Sequence, residues 1–356
     1  MIKHIEASGS HYQLGLAHGR EAAQEIRLSL SNYAQLFDQV DGITWSEART
    51  IAEGFKAPIE ACCPELLEEM AGIALGAKVD PLDVLVLNAR SEIALTRAEI
   101  TGRPAQSDGC SAFSERHGQT QWLAQNWDWK PEQQAALIRL TLRPAPSLGK
   151  PALTLITEAG IIGKIGFNAA GVGVCLNALR SALCRPKVPI HVLLRRVLEC
   201  GDAPSAQARI ESDGAASPAH LLIADGDCHA VAMEVSPLGG ASMLPRGGRL
   251  CHTNHLISRF LPPGLEDAPS PDSFARLARL EQLGLGEAPS FASLRARLCD
   301  RDGAPNAISR EVDPAAEPAR RSATLFTIVM NLTERRAEFS LGRPDLDPPI
   351  ETLTID

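Results

Sequence analysis

The segment around Cys110 contains the residues best suited to nucleophilic chemistry. Cys110 follows the turn-forming pair Asp108-Gly109 and opens a run, Cys110-Ser111-Ala112-Phe113, with the composition of a strand. A cysteine thiol has a pKa of about 8.5, so a thiolate at neutral pH needs a neighbouring base. The base could be a histidine, or the α-amino group of Cys110 itself if Cys110 began its own chain. On residue types alone both routes stay open, as does a third interpretation in which Cys110 is simply a small buried side chain.

The second route requires cleavage of the peptide bond between Gly109 and Cys110. An α-amino group titrates near about pH 8, which suits a base at neutral pH. Gly109 can adopt backbone angles closed to other residues, so the bond could be held strained. Residues 101–108 contain Gly, Pro and polar side chains and are predicted to be a loop that tolerates a cut. Thiol attack on the Gly109 carbonyl would give a thioester, and water would then release Cys110 with a free amine.

The composition of the chain changes at this loop. Residues 1–100 are predicted to be mostly helical after a first strand, with Gly15 and Gly19 in a turn before a helix over 20–37. Beyond residue 110, short strand-like runs alternate with Gly-containing turns. Further helices are predicted over 190–199, 205–212, 273–283 and 291–298. Antiparallel strands with segregated helices predict an α+β fold built in layers.

A hairpin turning at Gly118 would bring Asp128 back near the level of Cys110. A carboxylate there could orient the new amine and raise its basicity. His117 would lie at the hairpin tip, pointing away from Cys110. His252 and His255 lack a third ligand at a recognisable spacing, so no zinc site is predicted.

Composition and charge argue against several classes of protein. The chain is 44% hydrophobic and 22% charged, as in globular proteins. A net charge of −8 argues against a nucleic-acid-binding surface. No apolar signal core or run of about 18 apolar residues is visible, so no membrane span is expected. The nine scattered cysteines form no Cys-x-x-Cys pair, and a reducing cytoplasm is the expected location.

Several short segments, in order along the chain, together carry a family resemblance. They are Gly9-Ser10-His11-Tyr12-Gln13-Leu14-Gly15, His18-Gly19, Asp108-Gly109-Cys110, Gln125-Asn126-Trp127-Asp128-Trp129, His252-Thr253-Asn254-His255, Phe326-Thr327-Ile328-Val329-Met330-Asn331-Leu332 and Gly342-Arg343-Pro344. They resemble the acyl-coenzyme A:6-aminopenicillanic acid acyltransferase family of N-terminal-nucleophile hydrolases. The resemblance implies a four-layer αββα sandwich and autocleavage before Cys110. Residues 1–109 would become a helix-rich α chain, and residues 110–356 a β chain, within one integrated domain.

The resemblance also implies roles for residues distant from Cys110 in sequence. Asp128 matches an active-site aspartate of the family. Asn254 matches an asparagine whose side-chain N–H would donate to the oxyanion, and loss of such a donor raises the barrier by about 3–4 kcal/mol. The family has an active-site arginine and serine in its late segment, which are assigned here to Arg321 and Ser322.

We therefore expect an autoproteolytic cysteine amidohydrolase or acyltransferase that passes an acyl group from Cys110 to water or an amine. The substrate would be a small acyl amide or thioester. Acyl-coenzyme A could enter as an acyl donor, whereas no cofactor or metal is expected. The expected partners are the two fragments of the chain itself, with neither nucleic acid nor membrane. Two alternatives stay open: an uncleaved cysteine hydrolase with a histidine base, and a catalytically silent small-molecule-binding protein on the same fold.

Overall fold

The computed structural model describes residues 2–101 and 109–356, with the side chains of residues 100 and 101 left aside. The loop predicted over 101–108 lies outside the described residues, apart from Thr101, which ends a helix. The helices are α1 (His11–Glu21), α2 (Ala23–Leu36), α3 (Trp45–Glu53), α4 (Lys56–Cys62), α5 (Pro64–Ala77), α6 (Pro81–Asn88), α7 (Arg90–Thr101), α8 (Ile190–Leu198), α9 (Ala203–Asp213), α10 (Pro271–Gln282) and α11 (Phe291–Leu298). Within this part of the chain, no helix has the length and apolar character that a bilayer crossing requires.

Fourteen strands in the described residues form two sheets. They are β1 (Lys3–Gly9), β2 (Gly109–His117), β3 (Thr120–Trp129), β4 (Leu137–Pro144), β5 (Leu153–Glu158), β6 (Ile165–Asn168), β7 (Gly173–Ala178), β8 (Ala219–Ala224), β9 (Ala230–Ser236), β10 (Gly239–Met243), β11 (Arg249–His252), β12 (Ala323–Asn331), β13 (Arg336–Leu341) and β14 (Ile350–Thr354). The first sheet has the order β1-β4-β5-β6-β7-β8-β9-β10, and the second β11-β2-β3-β12-β13-β14. The paired strands are antiparallel, as predicted, except that β1 pairs with β4 in parallel.

The two sheets pack face to face, with helices on both outer surfaces. Strands β2 and β3 contact β7 and β8 across the interface. Helices α1, α8 and α9 cover the first sheet, while α10 and α11 cover the second. The predicted α+β fold is therefore present as four layers in the order α, β, β, α.

Alternation along β2 and β3 separates two hydrophobic clusters. Cys110 and Trp127 belong to the core between the sheets. Phe113 and Trp122 instead pack under α10 and α11, in a smaller cluster with Leu294. Since side chains of a strand alternate between its two faces, this pattern directs the Cys110 side chain toward the first sheet.

Gly15 and Gly19 lie inside α1, and the predicted turn at these residues is wrong. Ser10 caps the helix through a reciprocal pair of hydrogen bonds with Gln13, so α1 begins well before both glycines. The glycines lie where α1 crosses α5. A Cβ atom on Gly15 would lie 1.9 Å from the carbonyl oxygen of Glu69, and one on Gly72 of α5 would lie 2.3 Å from that of Tyr12. Close approach of two helix backbones, rather than a turn, requires glycine here.

We predict that Gly15→Ala destabilises the protein, although alanine favours helix. The new methyl group would overlap a backbone atom that cannot rotate away, and overpacking of this kind typically costs about 1–3 kcal/mol or more. Denaturant unfolding midpoints measure the effect. Gly201→Ala is the matched control, because no atom lies within 4 Å of the added methyl group. Equal midpoints for the two variants would contradict the close helix contact.

Candidate active site

The β2–β3 hairpin places Asp128 beside the start of β2, as predicted. Its register pairs Gly109 with Asp128 and Cys110 with Trp127. The turn contains Gly118 with a φ of 58°, a left-handed conformation that favours glycine. His117 pairs with Thr120 at that turn, so it lies at the opposite end of the hairpin from Cys110.

Asn254 holds the backbone nitrogen of Cys110. Its Oδ1 accepts hydrogen bonds from Cys110 N at 2.8 Å and from Arg276 Nη2 at 3.0 Å. Its Nδ2 donates to the carbonyl oxygen of Ala178 at 3.0 Å. Two donors at one end and an acceptor at the other fix the orientation of the amide. The side-chain N–H predicted to bind an oxyanion thus faces a backbone carbonyl here, and the amide oxygen faces Cys110.

Arg276 of α10 was not predicted from the sequence, and it contacts the start of β2 directly. Its Nη1 donates to the carbonyl oxygen of Cys110 at 2.6 Å and to Ser111 Oγ at 3.1 Å. Asp272, one turn earlier on the helix, pairs with the same guanidinium at 3.1 Å. The available sequence signal was helical spacing, because Arg276 shares a buried face with Ser273 and Leu280.

Asp128 is fully buried and pairs with an arginine that was also not predicted. Thr324 Oγ1 donates to its Oδ1 at 2.7 Å, and Arg310 Nε donates to its Oδ2 at 3.3 Å. Burial raises the pKa of Asp128 to about 6, although Arg310 and Arg276 partly offset the effect. A group titrating near neutrality within hydrogen-bonding distance of several polar groups is characteristic of functional sites.

The space around Gly109 leaves no room for a side chain. A Cβ atom on it would lie 2.7 Å from Arg310 Nε and 2.9 Å from Asp128 Oδ2. The residue before Cys110 must therefore be small because the Asp128–Arg310 pair lies against it.

Arg321 and Ser322 line the same polar pocket as Gly109 and Asn254. The guanidinium of Arg321 donates to the carbonyl oxygens of Ala316 and Pro314 at 3.1 Å each. The late arginine that contacts Asp128 is Arg310, not Arg321. Arg321 and Ser322 thus lie in the wall of the pocket, whereas Arg310 is the arginine that contacts the Asp128 carboxylate.

Two pockets share Arg180 in their walls and differ in character. The polar pocket, of about 660 Å³, is lined by Arg180, Arg276, Arg310, Arg320 and Arg321 and by the acids Asp272 and Asp313. The other pocket, of about 730 Å³, is mainly apolar and is lined by residues that include Leu36, Phe37, Leu95, Trp129, Leu176 and Ile190. Arg180 belongs to both walls, and Ala178 of the apolar wall holds Asn254.

The histidines next to Asn254 are engaged in their own contacts. His252 Nε2 lies 2.9 Å from Glu234 Oε1, and its Nδ1 lies 2.8 Å from the carbonyl oxygen of Thr253. His255 Nδ1 lies 2.8 Å from Ser273 Oγ. Both side chains therefore brace the segment that carries Asn254.

Elsewhere in the described residues, a group of His11, Glu65 and Glu199 has the spacing of metal ligands. Lys150 Nζ already contacts all three, at 3.2 Å, 2.9 Å and 2.6 Å respectively. Arg195 Nε adds a second positive charge 3.0 Å from Glu199, so this cluster is a partly buried ion-pair network.

The fold and the site geometry define a class of four-layer α+β protein with a buried cysteine at the start of an inner strand. The family model for acyl-coenzyme A:6-aminopenicillanic acid acyl-transferase matches residues 115–346. The chain belongs to this family. A relative, the acyl-coenzyme A:6-aminopenicillanic-acid-acyltransferase 40 kDa form of Emericella nidulans, is 32% identical over 354 residues, covering 99% of this chain and 95% of that protein.

Two solved structures are similar in chain path at low sequence identity. Penicillin V acylase from Agrobacterium tumefaciens has a TM-score of 0.49 and 12% identity, covering 69% of this chain and 86% of that one. A mutant of the conjugated bile acid hydrolase from Clostridium perfringens has a TM-score of 0.44 and 10% identity, covering 69% and 98%.

The raised pKa of Asp128 predicts a specific pH dependence of stability. The pKa is about 6 in the folded protein and about 3.9 in an unfolded chain. The protonated carboxyl is therefore favoured by folding, and this contribution is lost as the pH rises through 6. Asparagine does not titrate, so the unfolding free energy of Asp128→Asn minus that of wild type should rise by about 2–3 kcal/mol from about pH 4 to about pH 7.5. Any pH-independent effect of the substitution adds only a constant to this difference.

Denaturant unfolding across this pH range measures the difference, with Asp272→Asn as the matched control. Burial opposes ionisation of Asp272, but Arg276 and Arg310 lower its pKa to about 2. Its contribution is present above the unfolded pKa and is lost only as the pH falls toward 2. The Asp272→Asn difference should therefore stay nearly constant from about pH 4 to about pH 7.5. A flat difference for Asp128→Asn would contradict the raised pKa.

Proposed function

We propose that the protein is an autoproteolytic cysteine N-terminal-nucleophile acyltransferase or amidohydrolase with Cys110 as the nucleophile. The observation that carries the proposal is the hydrogen bond between Cys110 N and Asn254 Oδ1, at the start of a strand. After cleavage, that nitrogen would be an α-amine held beside its own thiol. Family membership supports acyl transfer as the general chemistry.

Self-cleavage begins when the Cys110 thiol attacks the Gly109 carbonyl carbon. The C–N bond breaks as the acyl group moves to sulfur, and the nitrogen takes the proton to become the α-amine. Water then hydrolyses the thioester, which leaves a carboxylate on Gly109. Arg310 lies against Gly109 and offers a counter-charge for that carboxylate.

Substrate turnover repeats the same chemistry on an external carbonyl. The amine accepts the thiol proton as sulfur attacks, and it returns that proton to the leaving amine or thiol. An acyl-enzyme thioester results. Water or an amine then attacks the thioester carbon, the thiolate leaves, and the acyl group is released. Asp128 is proposed to orient the amine, and the histidine-base alternative receives less support because His252 and His255 already contact other groups.

The two pockets suggest where the parts of a substrate on either side of its scissile bond would bind. The apolar pocket suits the acyl chain, while the arginine-lined pocket suits an anionic leaving group or acceptor. The name of the Emericella nidulans relative specifies acyl-coenzyme A and 6-aminopenicillanic acid. For this chain we propose the broader class of apolar acyl amides and thioesters whose other half bears a negative charge.

Self-cleavage predicts two fragments in the purified protein, corresponding to residues 1–109 and 110–356. Mass spectrometry of the denatured protein would detect them, and the larger one should begin at Cys110. Cys110→Ala should stay intact and inactive because it lacks the sulfur. Cys175→Ala, a second buried cysteine in the core between the sheets, should be cleaved as in wild type. An intact wild-type chain with full activity would rule out the mechanism.

The apolar pocket predicts selectivity for acyl chain length. Ala94→Phe would fill part of the pocket, so kcat/KM for a long acyl amide should fall about 10–200-fold relative to the acetyl amide. A substrate series that varies only the acyl chain measures the ratio, and the acetyl member serves as the internal control. An unchanged ratio would place the acyl group elsewhere.

A further inference from the structure

Arg276 links two parts of the candidate site through a single side chain. It is only 2% exposed, although it carries a charge. One end of the guanidinium contacts the Cys110 carbonyl, and the other contacts Asn254 Oδ1, which also accepts from Cys110 N. The nucleophile and the amide that holds its nitrogen are thereby fixed to the same rigid group.

All five N–H donors of this guanidinium have an acceptor. Nη1 donates to Cys110 O and Ser111 Oγ, Nη2 to Asn254 Oδ1 and Asp272 Oδ2, and Nε to Asp272 Oδ2 at 3.2 Å. A planar fork with fixed donors holds geometry that a lysine ammonium cannot reproduce. Because every donor of this buried arginine is used and two of the acceptors lie at the start of β2, we expect Arg276 to do more than pack its helix.

Arg276 affects the Cys110 nitrogen through its positive charge, in addition to fixing its position. A positive group in contact with Asn254 Oδ1 disfavours a second positive charge on the amine bound to the same oxygen. Other ionisable groups belong to the pocket wall beside Gly109 or to elements packed around β2. They include Asp272 of α10, Asp128 of β3, Arg310, Arg320 and Arg321 before β12, Arg180 after β7, Cys175 of β7, Lys164 before β6, His220 of β8, and Cys251 and His252 of β11.

We propose that Arg276 is a positioning residue that holds Cys110 and Asn254 in register and keeps the Cys110 amine in its neutral, basic form. The inference rests on the proposed self-cleavage, which creates that amine. Arg276 lines the polar pocket, but its five N–H donors are occupied, so the proposal gives it no hydrogen bond to substrate. Its action is exerted through Asn254 and the backbone of Cys110.

Two substitutions separate geometry from charge. Arg276→Lys keeps the charge but loses the fork, so kcat should fall by up to about 100-fold while the acidic limb of the pH–rate profile stays in place. Arg276→Met loses both, so kcat should fall and the acidic limb should move upward by about one pH unit, since the amine is then protonated more easily. Arg279→Met removes an arginine from the same helix whose partner is Asp300, outside the site, and should change neither.

The assay uses p-nitrophenyl acetate with processed protein, subtracting the rate of Cys110→Ala. Thermal unfolding identifies variants that fail to fold. Should Arg276→Met not fold, Asp272→Asn provides the second test, because it removes a negative charge and the anchor of Arg276. Its kcat should fall, and its acidic limb should move downward.

The outcomes separate this inference from the function it rests on. An uncleaved wild-type chain would refute self-cleavage itself. A cleaved, active wild type whose acidic limb is unmoved in Arg276→Met and Asp272→Asn would overturn the role of Arg276 alone. Equal losses in Arg276→Met and Arg279→Met would show that helix stability, rather than positioning, explains the effect.

Discussion

A network of buried charges around the start of β2 constrains the rest of the site. Hydrogen bonds join Asp128 to Arg310, Arg310 to Asp272, and Asp272 to Arg276. Asp128, Arg276 and Arg310 are buried, and Asp272 is 21% exposed. A buried charge is tolerated only when it is paired and hydrogen-bonded. The elements that supply these four side chains, β3, α10 and the segment before β12, must therefore approach β2 together. The same network requires glycine at position 109, before the proposed cleavage point, because a side chain there would displace the pair that Asp128 forms with Arg310.

The α+β layering supports this network from two sides. Trp127 and Cys110 anchor the hairpin in the core between the sheets, while Phe113 and Trp122 fix its other face beneath α10 and α11. The two clusters together prevent the hairpin from rotating. Since α10 belongs to the outer layer, its arginine can reach the strand only where the apolar packing is interrupted, at the open end of β2. The charged network and the pockets lie at that end for this reason.

Local signals account for what could be predicted from the sequence. Strand alternation and Gly118 predicted the hairpin and hence the placement of Asp128 opposite Gly109. The turn predicted at Gly15 is wrong because glycine suits a turn locally, whereas the close contact of Gly15 with α5 requires glycine within a helix. Arg310 could not be distinguished from Arg321, because irregular segments carry no periodicity to fix which side chain points inward. Asn254 could be matched to the family's asparagine from its sequence motif. Which end of its amide faces Cys110 depends on Arg276, which lies on a different element.

The distribution of charge shows why net charge describes this protein poorly. The chain carries a net charge of −8, yet five arginines and only two acids line the polar pocket. Dissolved salt screens surface charges far from the pocket over about 10 Å. Charged groups in the low-dielectric wall of a recessed pocket act on a ligand at close range. This lining supports the proposal that an anionic part of the substrate binds there despite the overall negative charge. If one half of the substrate is held there and its acyl chain enters the neighbouring apolar pocket, the scissile carbonyl lies between the two pockets. Asn254, which binds Cys110 N, lines the polar pocket and donates to Ala178 in the wall of the apolar pocket.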